Sequence, residues 1–214
     1  EKVSVRSFSW STIIENTENT TTTTLTPAAA TGNNILVTAS AVTGINHNAG
    51  FVSTDVGRLI RMKQGSVWGY CRIVTFNTST TVHVDIINTL TTTGAKTAWR
   101  MGLFGETNGY PSCGTFYGDR LYRAGVPEVP ERLDGSKIGD YDNMAPTLID
   151  GTVTDEYAVS FRLNSNDVQS IRWMLGTANG IGIGTAEGEW LVTPSTNNEA
   201  ITPTNVNAKQ STSW

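Results

Sequence analysis

Ile171-Arg-Trp-Met-Leu-Gly-Thr-Ala-Asn-Gly-Ile-Gly-Ile183 is the stretch that indicates the fold most clearly. Apolar residues lie on both sides of Asn179-Gly180, and Asn-Gly between apolar alternating segments is the strongest short-range signal of a β-hairpin. A second hairpin is predicted around Gly118-Asp119, within the segment from Thr115 to Ala124. Antiparallel strands joined by tight turns are therefore expected in the second half of the chain.

The same texture extends through the first half. Short segments rich in Val, Ile and aromatic residues alternate with Gly, Asn and Thr, which favours strands over helices. Strands are predicted at 35–39, 59–63, 67–76, 81–87 and 98–104. The predicted fold class is all-β: a small barrel-like β domain followed by propeller-blade-like antiparallel sheets, as a fragment of a larger protein.

Two local features of the first half carry specific expectations. Gly57 follows Asp55-Val, and a glycine there suits a tight turn with unusual φ at the entry to a strand. In the strand predicted over 67–76, period-two alternation places Trp68, Tyr70 and Arg72 on one face and Cys71 and Ile73 on the other. One of these faces must belong to the core.

Three segments are expected along the chain. Residues 1–27 read as an N-terminal strand with Val3, Val5, Phe8 and Trp10, followed by a Thr-rich linker; residues 28–105 as the small barrel-like domain; and residues 106–214 as a partial β-propeller of about two blades. The break at 106–112 contains Asn108-Gly109 and Pro111. Both ends, Glu1 and Trp214, are expected to be cuts through a longer protein.

A weak repeat underlies the propeller expectation. Ser136-Lys-Ile-Gly-Asp-Tyr141 resembles Thr185-Ala-Glu-Gly-Glu-Trp190 at an offset of 49 residues. A period near 50 with about four strands per unit suits a propeller blade. Closure needs about four blades, so further blades are expected outside this sequence.

Composition and charge restrict the function. The 214 residues are 38% apolar and 16% charged, which is typical of a globular protein. The net charge is −4 and the 15 Lys and Arg are scattered, which argues against binding to a phosphate backbone. The sequence contains no apolar stretch long enough to span a bilayer and no signal-peptide pattern, so no membrane anchor is expected.

The residues that could carry chemistry are few. His47 lies in a polar Asn46-His-Asn48 loop and His83 within a strand, where a structural or solvated role is expected. Asp140, Asp142 and Asn143 suggest a calcium loop but lack the twelve-residue spacing and terminal Glu, so a turn is favoured. Cys71 and Cys113 are interpreted as free thiols, with a single disulfide as the alternative.

Acidic and aromatic residues leave two further possibilities open. Glu187 and Glu189 flank Gly188 and could form an acid pair, but solvated positions on one face of a turn are the simpler explanation. Trp68, Trp99, Trp173 and Trp190 could form a sugar platform but are more simply core residues. Alternating Gly180, Gly182 and Gly184 are interpreted as thin strand positions. We predict no catalytic, cofactor-binding or metal-binding residue and no enzymatic activity.

Several short phrases, which together span about half of the chain, resemble phage tail proteins related to podovirus nozzle (tail tubular) subunits. They are Asn108-Gly-Tyr-Pro-Ser112, Phe116-Tyr-Gly-Asp-Arg-Leu121, Ser136–Tyr141, Ile171-Arg-Trp173, Ile183-Gly-Thr185, Gly188-Glu-Trp190 and Ile201-Thr-Pro203. The preceding module contains Phe51, Asp55-Val-Gly-Arg58 and Trp99. It is similar to the small β domain that such tail proteins share with the first catalytic-cysteine half-domain of ubiquitin-activating enzymes. This second resemblance implies a compact β fold only.

The resemblance implies a structural component of a phage tail, located in the virion and assembled in the bacterial host cytoplasm. Its implied partners are other tail proteins and copies of itself, in a homo-hexameric ring around the DNA exit channel or in a fibre attachment platform. DNA would pass without specific binding, because an acidic wall repels phosphates. The alternatives are a receptor- or carbohydrate-binding tail module and, less favoured, a tail-associated glycosidase.

Overall fold

The computed structural model describes residues 13–14, 22–164, 169–196 and 199–212. These residues form fifteen β-strands and two short 3-10 helices, which confirms the predicted all-β class. The chain divides into two compact units: Ile13–Thr107 with Ile149–Thr152, and Asn108–Leu148 with Val153–Trp214. Among the described residues, no helix is long and apolar enough to cross a membrane.

The first unit contains one seven-stranded antiparallel sheet in the order β1-β7-β4-β5-β6-β3-β2. Its strands are β1 (Ile13–Ile14), β2 (Leu25–Pro27), β3 (Ile35–Ala39), β4 (Leu59–Gln64), β5 (Val67–Thr78), β6 (Thr81–Asn88) and β7 (Trp99–Gly102), with 3-10 helices at Asn46–Asn48 and Ser53–Asp55. The five strands predicted from the sequence are therefore confirmed, with ends that differ by at most two residues.

This sheet curls into a half-barrel around its core. The terminal strand β2 bridges to Lys96, which lies just before β7. Leu25 N donates to Lys96 O at 3.0 Å, and Lys96 N donates to Leu25 O at 2.8 Å. Cys71 and Ile73 are fully buried inside the curl, so this face of β5 is the core face. The other core members are Leu25, Val37, Ala39, Ile45, Phe51, Ile60, Met62, Val82, Val84, Leu90, Trp99 and Met101.

The structure corrects one boundary and confirms one turn in the first unit. The expected Thr-rich linker does not extend to Pro27, because Leu25–Pro27 pair with β3 and Leu25 is fully buried. The buried side chain of Leu25 and the edge of β3 therefore suffice to form a strand in this polar segment. The strand expected around Val3 to Trp10 lies outside the described residues. Gly57 has φ +94°, as the sequence predicts.

The second unit contains two four-stranded antiparallel sheets. Sheet I has the order β11-β10-β9-β8, and sheet II the order β12-β13-β14-β15. Sheet I consists of β8 (Cys113–Tyr117), β9 (Arg120–Val126), β10 (Val129–Gly135) and β11 (Val159–Arg162). Sheet II consists of β12 (Trp173–Thr177), β13 (Gly180–Gly184), β14 (Glu189–Thr193) and β15 (Asn207–Gln210). Each sheet is thus a simple meander of strands consecutive in the chain.

Both predicted hairpins are confirmed. Gly118 and Asp119 connect β8 to β9 with φ of +54° and +57°, the left-handed conformations that a two-residue hairpin turn of type I′ requires. In sheet II, Thr177 pairs with Gly180, so the Asn179-Gly180 signal is displaced by one residue: the turn is formed by Ala178 and Asn179.

Sheets I and II share one hydrophobic core. It joins Tyr122, Ala124, Leu133 and Val159 of sheet I to Met174, Ile181, Ile183, Trp190 and Val192 of sheet II, with Leu163, Ile171 and Ile201 from the connections. One face of sheet I therefore packs on one face of sheet II.

The two sheets repeat each other, but the repeat suggested by the sequence is wrong. The first three strands of sheet I begin at 113, 120 and 129, and those of sheet II begin at 173, 180 and 189. A single offset relates each start to its counterpart, and we call positions related by this offset equivalent. Ser136 lies just after the third strand of its sheet, whereas Thr185 lies just before the third strand of its own. The two similar phrases therefore occupy different places in their sheets.

The second unit is not the continuous segment 106–214 expected from the sequence, because Ile149–Thr152 belong to the first unit. Trp68 N donates to Ile149 O at 2.7 Å, and a side chain on Gly151 would lie 3.3 Å from the indole nitrogen of Trp68. These four residues therefore cover Trp68. No local sequence signal marks this return of the chain.

Candidate functional site

One face of sheet II has no partner sheet among the described residues. Strand pairing aligns Trp173 with Gly184, and Leu175 with Gly182 and Leu191, on this side. Trp173 is 45% exposed and Leu175 is 59% exposed. We call this surface, made of Trp173, Leu175, Gly182, Gly184 and Leu191, the free face of sheet II.

The indole of Trp173 lies directly against two glycines of β13. A Cβ atom on Gly184 would lie 1.9 Å from the indole nitrogen of Trp173, and one on Gly182 would lie 3.9 Å from its six-membered ring. The predicted thin strand positions therefore make room for this ring. The expectation that Trp173 is a core residue is wrong, because Met174, its neighbour in the alternation, takes the inward position and is 8% exposed.

The opposite face of sheet II is the core face. Met174, Ile183 and Trp190 align across the strands on this side. Trp190 is 5% exposed, which confirms its predicted core position. Its indole nitrogen donates to Gln169 Oε1 at 2.8 Å, and Thr185 Oγ1 donates to the same oxygen at 3.0 Å. The buried polar end of Trp190 is thus satisfied, as burial of an indole N–H requires.

Sheet I also has an outer face that carries exposed aromatic residues. Phe116 aligns with Leu121 on this side, and Phe116 is 62% exposed. Its ring packs edge to face against Tyr141, with 5.1 Å between the ring centroids. Tyr141 is itself 40% exposed. We call this surface, made of Phe116, Leu121 and Tyr141, the outer face of sheet I.

A buried arginine organises the long connection between β10 and β11. Arg120 is 1% exposed, and its guanidinium donates to the carbonyl oxygens of Ser136 at 2.5 Å, Tyr157 at 2.6 Å and Glu156 at 3.3 Å, and also to that of Asp155. Burial lowers the pKa of this guanidinium. Arg120 is therefore committed to backbone carbonyls and has a structural role.

A second buried arginine closes the loop before β4. Arg58 Nη1 donates to Asn46 Oδ1 at 2.8 Å, and Arg58 Nε donates to Gly102 O at 2.9 Å. Its carboxylate partner, Asp55, also accepts from Val52 N at 2.9 Å and from Thr107 Oγ1 at 2.7 Å. This network ties the loop to β7 and to the residues that follow it.

The two histidines occupy structural or exposed positions. His47 is exposed in a turn where Asn46, His47 and Asn48 all have positive φ. His83 lies in β6, and its Nδ1 is 3.0 Å from Asn77 Oδ1. Each therefore lies in the kind of setting that the sequence predicts.

The acidic residues considered for a calcium loop form a turn. Asn143 Nδ2 donates to Asp140 Oδ2 at 3.1 Å, and Asn143 N donates to Asp140 O at 3.1 Å. Asp142 lies 4.0 Å from Arg123. Within the described part of the chain, no group of three or more His, Cys, Asp or Glu side chains is placed to hold a metal ion.

Glu187 and Glu189 contact different residues. Gln169 Nε2 donates to Glu187 Oε2 at 3.4 Å, whereas Thr212 Oγ1 donates to Glu189 Oε2 at 3.5 Å. Glu189 aligns with Gly184 on the free face of sheet II, beside Trp173. The two carboxylates therefore have separate hydrogen-bonding environments.

The remaining cysteine and tryptophan predictions are also resolved. Both thiols are free, as expected, and burial raises the pKa of Cys71 to about 12. Trp99 is a core residue whose indole nitrogen donates to Thr23 O at 2.9 Å. Trp68 is only half-buried, so its predicted core position is wrong; the guanidinium of Arg61 packs on it, with Cζ 4.0 Å from the ring centroid.

Sequence reasoning missed Leu175 and Phe116, the two most exposed large apolar residues of the two sheet faces described above. No sequence signal pointed to them, because the equivalence of β12 and β8 follows only from the strand bounds. No family model and no curated protein matches this chain, so the free face of sheet II and the outer face of sheet I are the features from which a function can be inferred.

Proposed function

We propose that this chain is a non-enzymatic structural subunit of a bacteriophage tail, of the nozzle-like kind, which acts in the virion after assembly in the bacterial cytoplasm. The observation that carries the proposal is the stacking of sheets I and II. Both are four-stranded meanders, they share one hydrophobic core, and each carries exposed apolar side chains on its other face. Such stacking is typical of repeat scaffolds such as propellers, in which each unit buries its apolar face only against a neighbour.

The polar side chains also favour scaffolding over catalysis. Arg120 and Arg58 are buried and are held by backbone carbonyls and by one carboxylate. A catalytic site needs a nucleophile or base that is free to meet a substrate in a cleft. Guanidinium groups that hold loops through backbone carbonyls fit a rigid subunit instead.

The charge of the chain suits passage of DNA. The net charge is −4, and a wall of this sign repels the phosphate backbone. In the proposed role, copies of the chain and other tail proteins would surround or flank the exit channel, and DNA would slide past them without specific binding.

Mass spectrometry and immunogold labelling of purified phage particles test the proposal. We expect the chain to co-purify with particles in a fixed ratio to the portal protein and to label the tail. Deletion of its gene should give filled heads that lack the distal tail, and the wild-type gene should restore infectivity. Absence of the chain from purified particles, or normal tails after its deletion, would refute the proposal.

Trp173 supports a second candidate, a carbohydrate-binding tail module. A half-exposed indole that is backed by glycines offers an aromatic surface on which sugars can stack, and Glu189 beside it supplies a hydrogen-bond acceptor. Quenching of Trp fluorescence by host-surface polysaccharide, lost in Trp173→Ala and kept in Trp99→Phe, is the expected result if this candidate is correct. Hydrolysis of that polysaccharide, abolished by Glu189→Gln, would instead indicate a glycosidase.

A further inference from the structure

We propose that the free face of sheet II binds the outer face of sheet I of a second copy of this chain, so that copies associate head to tail. This inference concerns the surface through which the chain self-associates and does not depend on a role in a phage tail. It rests on the equivalence of the two sheets within one chain.

The covered face of sheet I and the free face of sheet II are equivalent surfaces. Cys113, Tyr122 and Ala124 of sheet I pack on sheet II. Their equivalent positions in sheet II are Trp173, Gly182 and Gly184, all on the free face. Within the part of the chain that the structure describes, a face of the kind that receives a sheet therefore occurs twice, and only its first instance is covered.

The outer face of sheet I is equivalent to the surface that covers this receiving face. In sheet II the covering residues include Gly176 and Ile181, which align with each other on the core face. Their equivalent positions in sheet I are Phe116 and Leu121, which align in the same way on the outer face of sheet I. Around Phe116 and Leu121, one chain therefore presents both halves of the same type of interface, whereas Arg123 and Arg132 stand at the positions equivalent to Ile183 and Val192.

The equivalence identifies the central contact. Within the chain, Gly176 N donates to Thr115 Oγ1 at 3.0 Å, and a Cβ on Gly176 would lie 2.5 Å from Phe116 O, so residues 115 and 176 touch where the sheets meet. The position equivalent to Thr115 is Leu175, and the position equivalent to Gly176 is Phe116. In the proposed interface, Leu175 of one copy therefore contacts Phe116 of the next. These side chains are 59% and 62% exposed. Their exposure is explained if each covers the other.

The interface is heterologous, because two different surfaces meet. Heterologous contacts close into rings when the rotation per copy allows it, and otherwise they extend into filaments. Propellers close with about four to eight sheets, and each chain supplies two, so about two to four copies would complete a ring. A second copy therefore accounts for both exposed faces of the unit at once.

Analytical ultracentrifugation and native mass spectrometry of the 214-residue chain, over a concentration series, test the proposal. The wild type should associate reversibly, with a mass of two or more chains at concentrations up to about 100 µM, the range of transient interfaces. Leu175→Arg and Phe116→Arg should each weaken association at least about 100-fold. Ile87→Arg, at a 39% exposed apolar position of the first unit, is the matched control and should associate as the wild type does.

Mixing the two variants distinguishes head-to-tail binding from a symmetric dimer. Leu175→Arg keeps an intact outer face of sheet I, and Phe116→Arg keeps an intact free face of sheet II. The mixture should form a 1:1 dimer and nothing larger, because only one productive pairing remains. A symmetric interface built from one face alone would give no such dimer.

Three results would overturn the proposal: a wild type that stays monomeric throughout, unchanged association of Leu175→Arg, or no dimer in the mixture. Far-ultraviolet circular dichroism and thermal melting verify that the variants fold. If Leu175→Arg does not fold, Trp173→Ser replaces it and should also prevent association. A monomeric wild type whose Trp173 is quenched by polysaccharide would assign the free face to a sugar. Each of these results leaves the particle-location experiment unaffected.

Discussion

Asp55 and Arg58 form an ion pair that is almost completely buried, with Asp55 Oδ1 2.5 Å from Arg58 Nη1 and side-chain exposures of 0% and 1%. The pair holds the loop before β4 against β7 through Asn46 and the carbonyl of Gly102. Removal of one partner from a buried pair is costly because it leaves the other charge without compensation. The pair therefore fixes the loop geometry of the first unit.

We expect Asp55→Ala to lower the free energy of unfolding of the first unit by about 3–5 kcal/mol, since Arg58 would remain charged and buried. Urea denaturation with near-ultraviolet circular dichroism measures the change. Asp85→Ala is the control, because Asp85 accepts a bond from Asn34 N at an exposed position and should cost about 1 kcal/mol. Equal costs for the two variants would contradict the structural role of the pair.

The two tryptophans of sheet II should respond differently to truncation. Trp190→Ala should cost about 3–5 kcal/mol, because it opens a cavity in the shared core and removes one of the two donors to Gln169 Oε1. Trp173→Ala should cost about 1 kcal/mol or less, because the ring is half exposed. Chemical denaturation of both variants provides the comparison. A larger loss for Trp173→Ala would place that ring in the core.

Gly184→Ala should displace the indole of Trp173, because the new methyl group would occupy space that the ring now fills. Loss of the contact with the strand exposes more of the ring, so the Trp emission should shift to longer wavelength while the fold is retained. The same substitution in a Trp173→Phe background is the control and should leave the emission unchanged. No shift in the first case would show that the ring does not lie on Gly184.

The Cys71 thiol should make the first unit less stable at high pH. Burial raises its pKa from 9.0 to about 12, so below pH 9 the thiol is protonated in both the folded and unfolded states and has no effect. Between pH 9 and 12 only the unfolded state loses the proton, and stability should fall by about 1.4 kcal/mol per pH unit. The difference between wild type and Cys71→Ala in urea midpoints from pH 8 to 11 isolates this contribution. A constant difference would contradict the shift.

The local parts of the fold were predictable from sequence, and the non-local parts were not. The strand at Ile35–Ala39 and the turn at Gly118-Asp119 follow from β-propensity and from the positive φ that the turn requires. Strand β2 depends instead on its pairing with β3 and on the bridge between Leu25 and Lys96, and the return of Ile149–Thr152 depends on Trp68. Contacts of this kind leave no periodic pattern in the chain.

The candidate site was predictable only in part. Alternation places Trp173 and Met174 on opposite faces, but it does not say which face finds a partner, since both are apolar. The larger ring suggests the core, yet the glycines of β13 accommodate it on the exposed side. Phe116 and Leu175 became candidates for a mutual contact only when the two sheets were aligned by their strand bounds. The similarity of Ser136–Tyr141 to Thr185–Trp190 aligns them differently.

The return of Ile149–Thr152 to the first unit constrains how such a protein can be inherited in pieces. A genetic crossover at Thr107 would bring in a new first unit without its own residues 149–152. Trp68 of the new unit would then lose the backbone segment that covers it. A functional exchange must therefore also bring in the four residues of the return, or a relative must present the same carbonyl at Ile149. Although each unit is separately compact, a single crossover therefore cannot exchange the first unit as a whole.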